Sequence, residues 1–331
     1  MKRFLKIIAA LVAVLAIVYF LGPKPAAPIY NNNLIQVPAE PAALEAYVAS
    51  NEAKHKVKPD NEARIVWAND STKAKTPYVI VYLHGFSASQ EEGNPVHRNI
   101  AKQFGCNMYL ARLSEHGIDT TDPLMNMTAT SLWESAKEAY AIGKQLGDKV
   151  ILMGTSTGGT VALELASNFE DVAGLVLYSP NIAINNPSAF LSNNPWGLQI
   201  ARMVIGGKEN IIKNKPDNYK KYWNDHYRLE AVVELQELLE TTMIPSHFNK
   251  IKCPLLTLYY YKDEKNQDPV VKVSAMKEMF DAVATPANLK RMVAVPEAGN
   301  HVLASPIQSN DIVSVEKETA LFLEQIMQLK K

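Results

Sequence analysis

The sequence predicts an α/β protein: a mostly parallel central sheet flanked by helices, with a helical insertion over one end. Three observations carry that expectation. Seven short apolar runs alternate with amphipathic segments. One run, K-V-I-L-M at 149–153, meets a glycine-rich corner and passes straight into a helix. About 70 residues between Pro180 and Pro254 break the rhythm, too many for a structureless loop. With 331 residues, 47% of them hydrophobic and 21% charged, the chain has material for a full core. Its formal net charge is zero, so no global field favours nucleic acid, which is not expected as a partner.

The N-terminus comes first. Lys2, Arg3 and Lys6 precede an uncharged apolar run at 7–21. A helix counted from Phe4 spans about 27 Å, close to a bilayer's hydrocarbon core. Residues 1–25 therefore read as a membrane anchor, with the basic end cytoplasmic, or as a cleaved signal segment. Either reading puts the rest of the chain outside the cytoplasm. Residues 26–40, with their prolines and an asparagine run, read as a linker. A domain over 41–331 follows, opening with a short helix at 41–53.

The strand-like runs are 63–67, 78–83, 107–113, 149–153, 173–178, 254–261 and 290–295. Helical patterns fall near 95–104, 129–146, 158–169, 272–283 and 311–330. Continuous apolar strands separated by helices indicate a parallel sheet covered on both faces. Within 181–250, Leu229, Val232, Val233, Leu235, Leu238 and Leu239 recur at helical spacing, and Leu198, Ala201, Met203 and Ile205 do so more loosely. With its many aromatic residues, this interval reads as a helical cap over the sheet.

The corner G-T-S-T-G at 154–158 matches G-x-S-x-G. Its context, a buried strand before and a helix directly after, is what a nucleophile elbow requires. Gly154 and Gly158 remove side chains where helix and strand would collide. The competing reading, a phosphate-binding turn, lacks the lysine of a P-loop. A serine needs a base to take its proton, and the chain has seven histidines. His301 lies just past the last strand, where a loop can return it to the sheet's C-terminal edge. His84 and His116 follow strands directly. His55, His97, His226 and His247 read as exposed or locally bonded.

Taken in order, H-G-F at 84–86, R-L-S-E-H-G at 112–117, G-T-S-T-G-G at 154–159, Q-D-P-V-V at 267–271 and G-N-H-V at 299–302 resemble the α/β-hydrolase fold superfamily. More narrowly, they resemble its capped lipases and esterases, such as monoacylglycerol lipases. The resemblance implies a catalytic triad of Ser156 as nucleophile, His301 as general base and Asp268 as orienting acid. It also implies an oxyanion hole from the backbone N–H groups of Phe86 and Thr157, with His84 and Gly85 shaping that loop. Asp263 is the other candidate acid: it suits an uninterrupted strand-loop count, whereas Asp268 opens the local D-P-V-V pattern. Glu115 departs from the pattern, standing where the family usually has glycine, and the strand-to-acid loop is longer than usual.

The function expected is a serine hydrolase of carboxylic esters, membrane-anchored and acting on a small apolar ester or lipid. A thioesterase or serine peptidase with the same triad, or a non-catalytic ligand-binding member of the fold, are the alternatives. No cofactor or metal is expected. The cap's lysines, Lys208, Lys213, Lys215, Lys220 and Lys221, read as a solvated outer face. The resemblance implies the strand order 1-2-4-3-5-6-7-8. Cys106 and Cys253 would then lie several strands apart, so both thiols should be free.

Overall fold

The computed structural model describes residues 1–330. Five strands form in chain order before the cap: β1 (Arg64–Val66), β2 (Thr76–Leu83), β3 (Asn107–Leu110), β4 (Gly147–Thr155) and β5 (Val172–Tyr178). Two short ones, β6 (Glu209–Ile211) and β7 (His226–Arg228), lie in the cap, and β8 (Leu255–Tyr259) and β9 (Lys290–Ala294) complete the set. The main sheet has seven strands in the order β1-β3-β2-β4-β5-β8-β9. Only the β1–β3 pairing is antiparallel. The first strand of the expected eight has no counterpart among the described residues; the remainder of that order is present.

The central stretches of the strands are largely apolar because both faces are covered, and charged residues such as Asp148 and Lys149 of β4 fall at an exposed end. On β2, Val79, Val81 and Leu83 point into one core while Ile80 and Tyr82 point into the other. Val150 and Leu152 alternate in the same way with Ile151 and Met153 on β4. The period of two divides each of these stretches between the two cores, so neither face is left to solvent.

The helices of the main domain are α2 (Pro41–Glu52), α3 (Val96–Gln103), α4 (Ala129–Leu146), α5 (Thr157–Asn168), α10 (Val273–Ala282) and α11 (Ile312–Gln325); α1 (Lys2–Phe20) precedes them. Their starts are chemically marked. Glu40 accepts from Ala43 N–H at the head of α2, and Thr128 and Ser131 form a reciprocal capping box on α4. Asp311 caps α11 through Ser314 N–H.

Between β5 and β8 the chain builds the cap from α6 (Gly197–Ile205), α7 (Asp217–Tyr222), α8 (Leu229–Thr242) and α9 (Pro245–Phe248). The cap is not wholly helical, as the sequence had suggested: β6 and β7 pair as an antiparallel ribbon. Each is three residues long, shorter than any periodicity can register. Cys106 is buried beside β3 and Cys253 precedes β8; both are free, with β2, β4 and β5 lying between their strands.

The segment after α1 lies along the domain. Ile29 N–H donates to Thr130 Oγ1 at 2.9 Å, Trp133 Nε1 to Asn31 O at 2.9 Å, and Lys137 Nζ to Asn33 O at 3.1 Å. Trp196, at the head of α6, donates from its backbone to Pro23 O at 2.9 Å and from Nε1 to Val18 O at 3.0 Å. The end of α1 is thereby tied to the cap.

Candidate active site

Ser156 sits between β4 and α5 with φ 51° and ψ −116°, a left-handed conformation rare for a residue with a side chain. The corner is held from three sides. Ser156 N–H donates to Tyr178 O at 2.9 Å, and Ser156 O accepts from Thr160 N–H at 3.1 Å and Asn181 N–H at 3.0 Å. Such strain persists only where the surroundings over-determine it. The two glycines of the motif are sterically obligatory. A Cβ on Gly158 would lie 1.9 Å from Leu83 O, and one on Gly154 2.5 Å from Gly158 O. Helix and strand backbones therefore touch, and the serine is pushed up into the cavity. Its hydroxyl caps nothing and engages no other described residue.

His301 and Asp268 meet at the same edge of the sheet. Asp268 Oδ2 lies 2.7 Å from His301 Nδ1, which fixes the proton on Nδ1 and leaves Nε2 able to accept one. Asp268 is 1% exposed, and its other oxygen accepts from the N–H groups of Val270 and Val271 at 2.9 and 3.0 Å. Burial works to raise the Asp268 pKa, but the charge and hydrogen bond of His301 and the two N–H groups outweigh it and hold the carboxyl below its usual range. Burial likewise works to lower the His301 pKa, yet Asp268, and then Glu92, carry it above the ordinary histidine value.

The long loop after β8 explains why Asp268 comes so late. Tyr261 and Gln267 form a bridge, Lys262 N–H donates to Asn266 O at 2.8 Å, and Asp268 N–H donates to Tyr260 O at 3.1 Å. The intervening residues make a closed excursion that returns Asp268 to the end of the strand. Asp263 is spent on that excursion: its Oδ1 accepts from the N–H groups of Lys265 and Asn266, each at 2.9 Å, and it stands in solvent.

The loop after β2 supplies the other wall. Gly85 is pressed against Ser156, with a Cβ there falling 3.1 Å from Ser156 Cβ. His84 is fully buried; its Nε2 accepts from Leu113 N–H at 3.0 Å and its Nδ1 lies 2.9 Å from Gly85 O, so it braces the loop and does not face the reaction. The backbone N–H groups of Phe86 and Thr157 donate to no described residue. His116 is buried against His84 and Phe86, its pKa pushed down by burial to about 4. Before it, Glu115 stands at φ 64°, which accounts for the glycine usual at that place.

Ser156 and His301 line one cavity of about 460 Å³, although no hydrogen bond joins them among the described residues. Phe86, Ile184, Tyr227, Val232 and Leu235 give it an apolar side, and Glu92, Asn300 and Gln308 a polar one. A larger cleft of about 650 Å³, between α2 and α4, holds none of these groups. Lys215 is a correction to the solvated cap face: it lines the Ser156 cavity, with Nζ 4.5 Å from the centre of the Tyr219 ring. His97 and His247 are likewise less idle than their sequence suggested. The first is fully buried on Gln90 O, and the second pairs with Glu164 of α5 at 2.6 Å.

Two site residues escaped the sequence. Asn181 lines the cavity with its buried Oδ1 unpartnered, and Glu92 lies in a polar stretch, S-A-S-Q-E-E-G, that reads as an exposed loop. Only the turn Gln90–Gly93 rolls Glu92 inward, so no periodicity marks it.

The model of the family described as serine aminopeptidase, S33, matches residues 129–301. A thermostable monoacylglycerol lipase of Bacillus sp. (strain H-257) is 29% identical over 196 residues, which cover 58% of this chain and 72% of that protein. The chloroplastic protein PHYLLO of Arabidopsis thaliana is 23% identical over 256 residues, 70% of this chain but 15% of its own length. Among solved structures, one reported for the metagenome-derived lipolytic enzymes LipS and LipT superposes with a TM-score of 0.63 at 18% identity, covering 81% of this chain and 99% of that one. A Paleococcus ferrophilus monoacylglycerol lipase gives 0.57 at 16% identity, covering 79% and 97%. At such identities the structural likeness speaks to the fold alone, which is the α/β-hydrolase fold.

Proposed function

The chain belongs to the serine aminopeptidase, S33, family, and from that premise we propose that it hydrolyses carboxylic esters through an acyl-enzyme on Ser156. The observation that carries this reading is the convergence of a strained serine and an acid-bound histidine on one largely apolar cavity. Ser156 Oγ attacks the ester carbonyl and its proton passes to His301 Nε2. The oxyanion that forms is met by the Phe86 and Thr157 N–H groups, donors of a kind whose loss costs about 3 kcal/mol in other enzymes. His301 then protonates the leaving alcohol. Water attacks the acyl-serine with its proton drawn to the same nitrogen, and Asp268 holds the imidazolium in both halves.

The cavity's division suggests how an ester sits: the acyl chain against Ile184, Tyr227, Val232 and Leu235, the alcohol toward Glu92, Asn300 and Gln308. The relative named as a monoacylglycerol lipase supports an ester with an apolar acyl group. On p-nitrophenyl esters, kcat/KM should rise from acetate to butyrate by up to about fifteenfold, since each buried methylene contributes about 0.8 kcal/mol. A flat series, or faster turnover of the matching amides, would count against the ester assignment.

The general base works only as neutral imidazole. Because the His301 pKa lies above the ordinary 6.5, activity should be absent at low pH and appear as pH rises through an apparent pKa above that value. A kcat/KM profile whose acid limb falls below 6.5 would contradict the electrostatics of the pair.

We read α1 as the segment that keeps this chemistry at a membrane. All 19 of its residues are exposed, and its end is bonded to the cap at Trp196. The following helix, α6, leaves Met203 and Val204 75% and 77% exposed. Carbonate-resistant association of the full chain with membranes, lost on deleting residues 2–20, is the expected behaviour.

A further inference from the structure

Glu92 has an odd position for a carboxylate. It is 2% exposed, its Oε2 accepts from Gly85 N–H at 2.5 Å, and it lines the cavity together with Ser156 and His301. A Cβ on Gly85 would lie 2.9 and 3.0 Å from the two Glu92 oxygens and 3.1 Å from Ser156 Cβ, so carboxyl and nucleophile flank a single glycine. Trp223, next to α7, lines the same cavity as the carboxyl. Among the described residues no lysine or arginine pairs with it. The neighbouring Glu91, by contrast, is half-buried and taken up by Asn94 Nδ2 at 3.0 Å. An unpaired carboxyl is costly to bury, and this one is placed one residue before the Phe86 N–H.

We propose that Glu92 is a positioning residue of the hydrolysis: it clamps the Gly85 peptide so that the next N–H faces the developing oxyanion, and it sets a second carboxyl beside His301. The inference rests on the ester-hydrolase reading of the site and assigns a residue outside the triad to it. Two elements follow from the geometry. The Gly85 N–H is consumed by Glu92, which fixes the His84–Gly85 peptide, one peptide before the one that carries the Phe86 N–H. The turn Gln90–Gly93 that carries Glu92 also packs against α7 of the cap, so the loop and the cavity wall meet at this side chain.

The charged and titratable groups facing Glu92 are His301 from the loop after β9, Tyr82 from β2 and Tyr219 from α7, with Lys215 of the cap lining the same cavity beside Tyr219; those acting on His301 are Asp268 and Glu92. Burial raises the Glu92 carboxyl to about 7, against the pull of the Gly85 N–H and of His301. Once ionised, it favours the imidazolium. Removing it therefore lowers the pH at which His301 becomes a base.

Two variants and two readouts test this: ester turnover from pH 5 to 9, and the rate at which a fluorophosphonate labels Ser156. Glu92→Ala should lower kcat and the labelling rate by about 10²-fold with KM moved less than about threefold, the scale expected when an oxyanion donor is misplaced. Glu92→Gln keeps an oxygen for Gly85 N–H. It should recover at least about tenfold of that loss, while the acid limb moves to lower pH. If Glu92→Ala does not fold, as judged by its melting curve, the acid limb of Glu92→Gln decides alone. Labelling and turnover within about threefold of wild type in Glu92→Ala, or an unmoved acid limb in Glu92→Gln, would overturn the role. A wrong substrate assignment looks different: every variant would label without ester turnover, and the ranking of labelling rates would still read the clamp.

Discussion

Ser156→Ala should abolish ester hydrolysis, by about 10⁶-fold in kcat, and leave the fold intact. The size follows from how catalytic units behave: in other serine hydrolases, losing the nucleophile alone costs about as much as losing all three members. The survival of the fold follows from this structure. Alanine keeps the Cβ that already tolerates φ 51°, and the three backbone hydrogen bonds at the corner do not involve the side chain. The hydroxyl removed has no partner among the described residues, so no buried group is left unsatisfied. The measurement is turnover of a butyrate ester beside a thermal melt. Turnover retained in a variant with a wild-type melt would remove Ser156 from the mechanism.

Asp268→Asn should cost about 10⁴-fold in kcat, whereas Asp263→Asn should stay within about threefold of wild type. The asymmetry rests on what each carboxylate holds. Asp268 receives the Nδ1 proton at 2.7 Å and is itself pinned by two backbone N–H groups. An amide there offers an N–H to Nδ1 and so favours the tautomer with the proton on Nε2, where it cannot act as base. Asp263 ties a solvent-facing turn through Lys265 and Asn266 and reaches no group of the cavity. The reverse ranking in steady-state kinetics would mean that the excursion after β8 had been placed on the wrong side of the acid.

Much of this site is legible before any coordinates. The elbow announces itself because its chemistry is local: a strand, a glycine on each side of the serine and a helix must be consecutive, so the pattern is continuous in sequence. His301 is legible by its place after the last strand. Asp268 and Asp263 cannot be separated by strand counting, because the count depends on whether 262–266 extends the strand or leaves it. The bridge between Tyr261 and Gln267 decides that, and a bridge is a pairing across space.

Glu92 and Asn181 mark the limit more sharply. Neither stands in a periodic segment, and a polar residue in a loop is ordinarily solvated. Their burial comes from what is stacked above and beside them: the cap helix carrying Tyr219, the loop with His301, and the back of Gly85. The ribbon of β6 and β7 is hidden for a related reason, since two three-residue strands gain their hydrogen bonds only from each other.

By itself, then, the amino-acid order determined the apolar strands, the alternation that buries both faces of the sheet, and the strained corner that carries Ser156. Those are properties of neighbours along the chain, where sterics and periodicity act within a few residues. Tertiary structure decided that the excursion at 262–266 leaves the strand so that Asp268 meets His301, that a lysine of the cap lines the cavity, and that a buried carboxyl holds the Gly85 N–H. Each of those joins segments far apart in sequence. Their contact free energies depend on desolvation by elements folded over them, which no local pattern encodes.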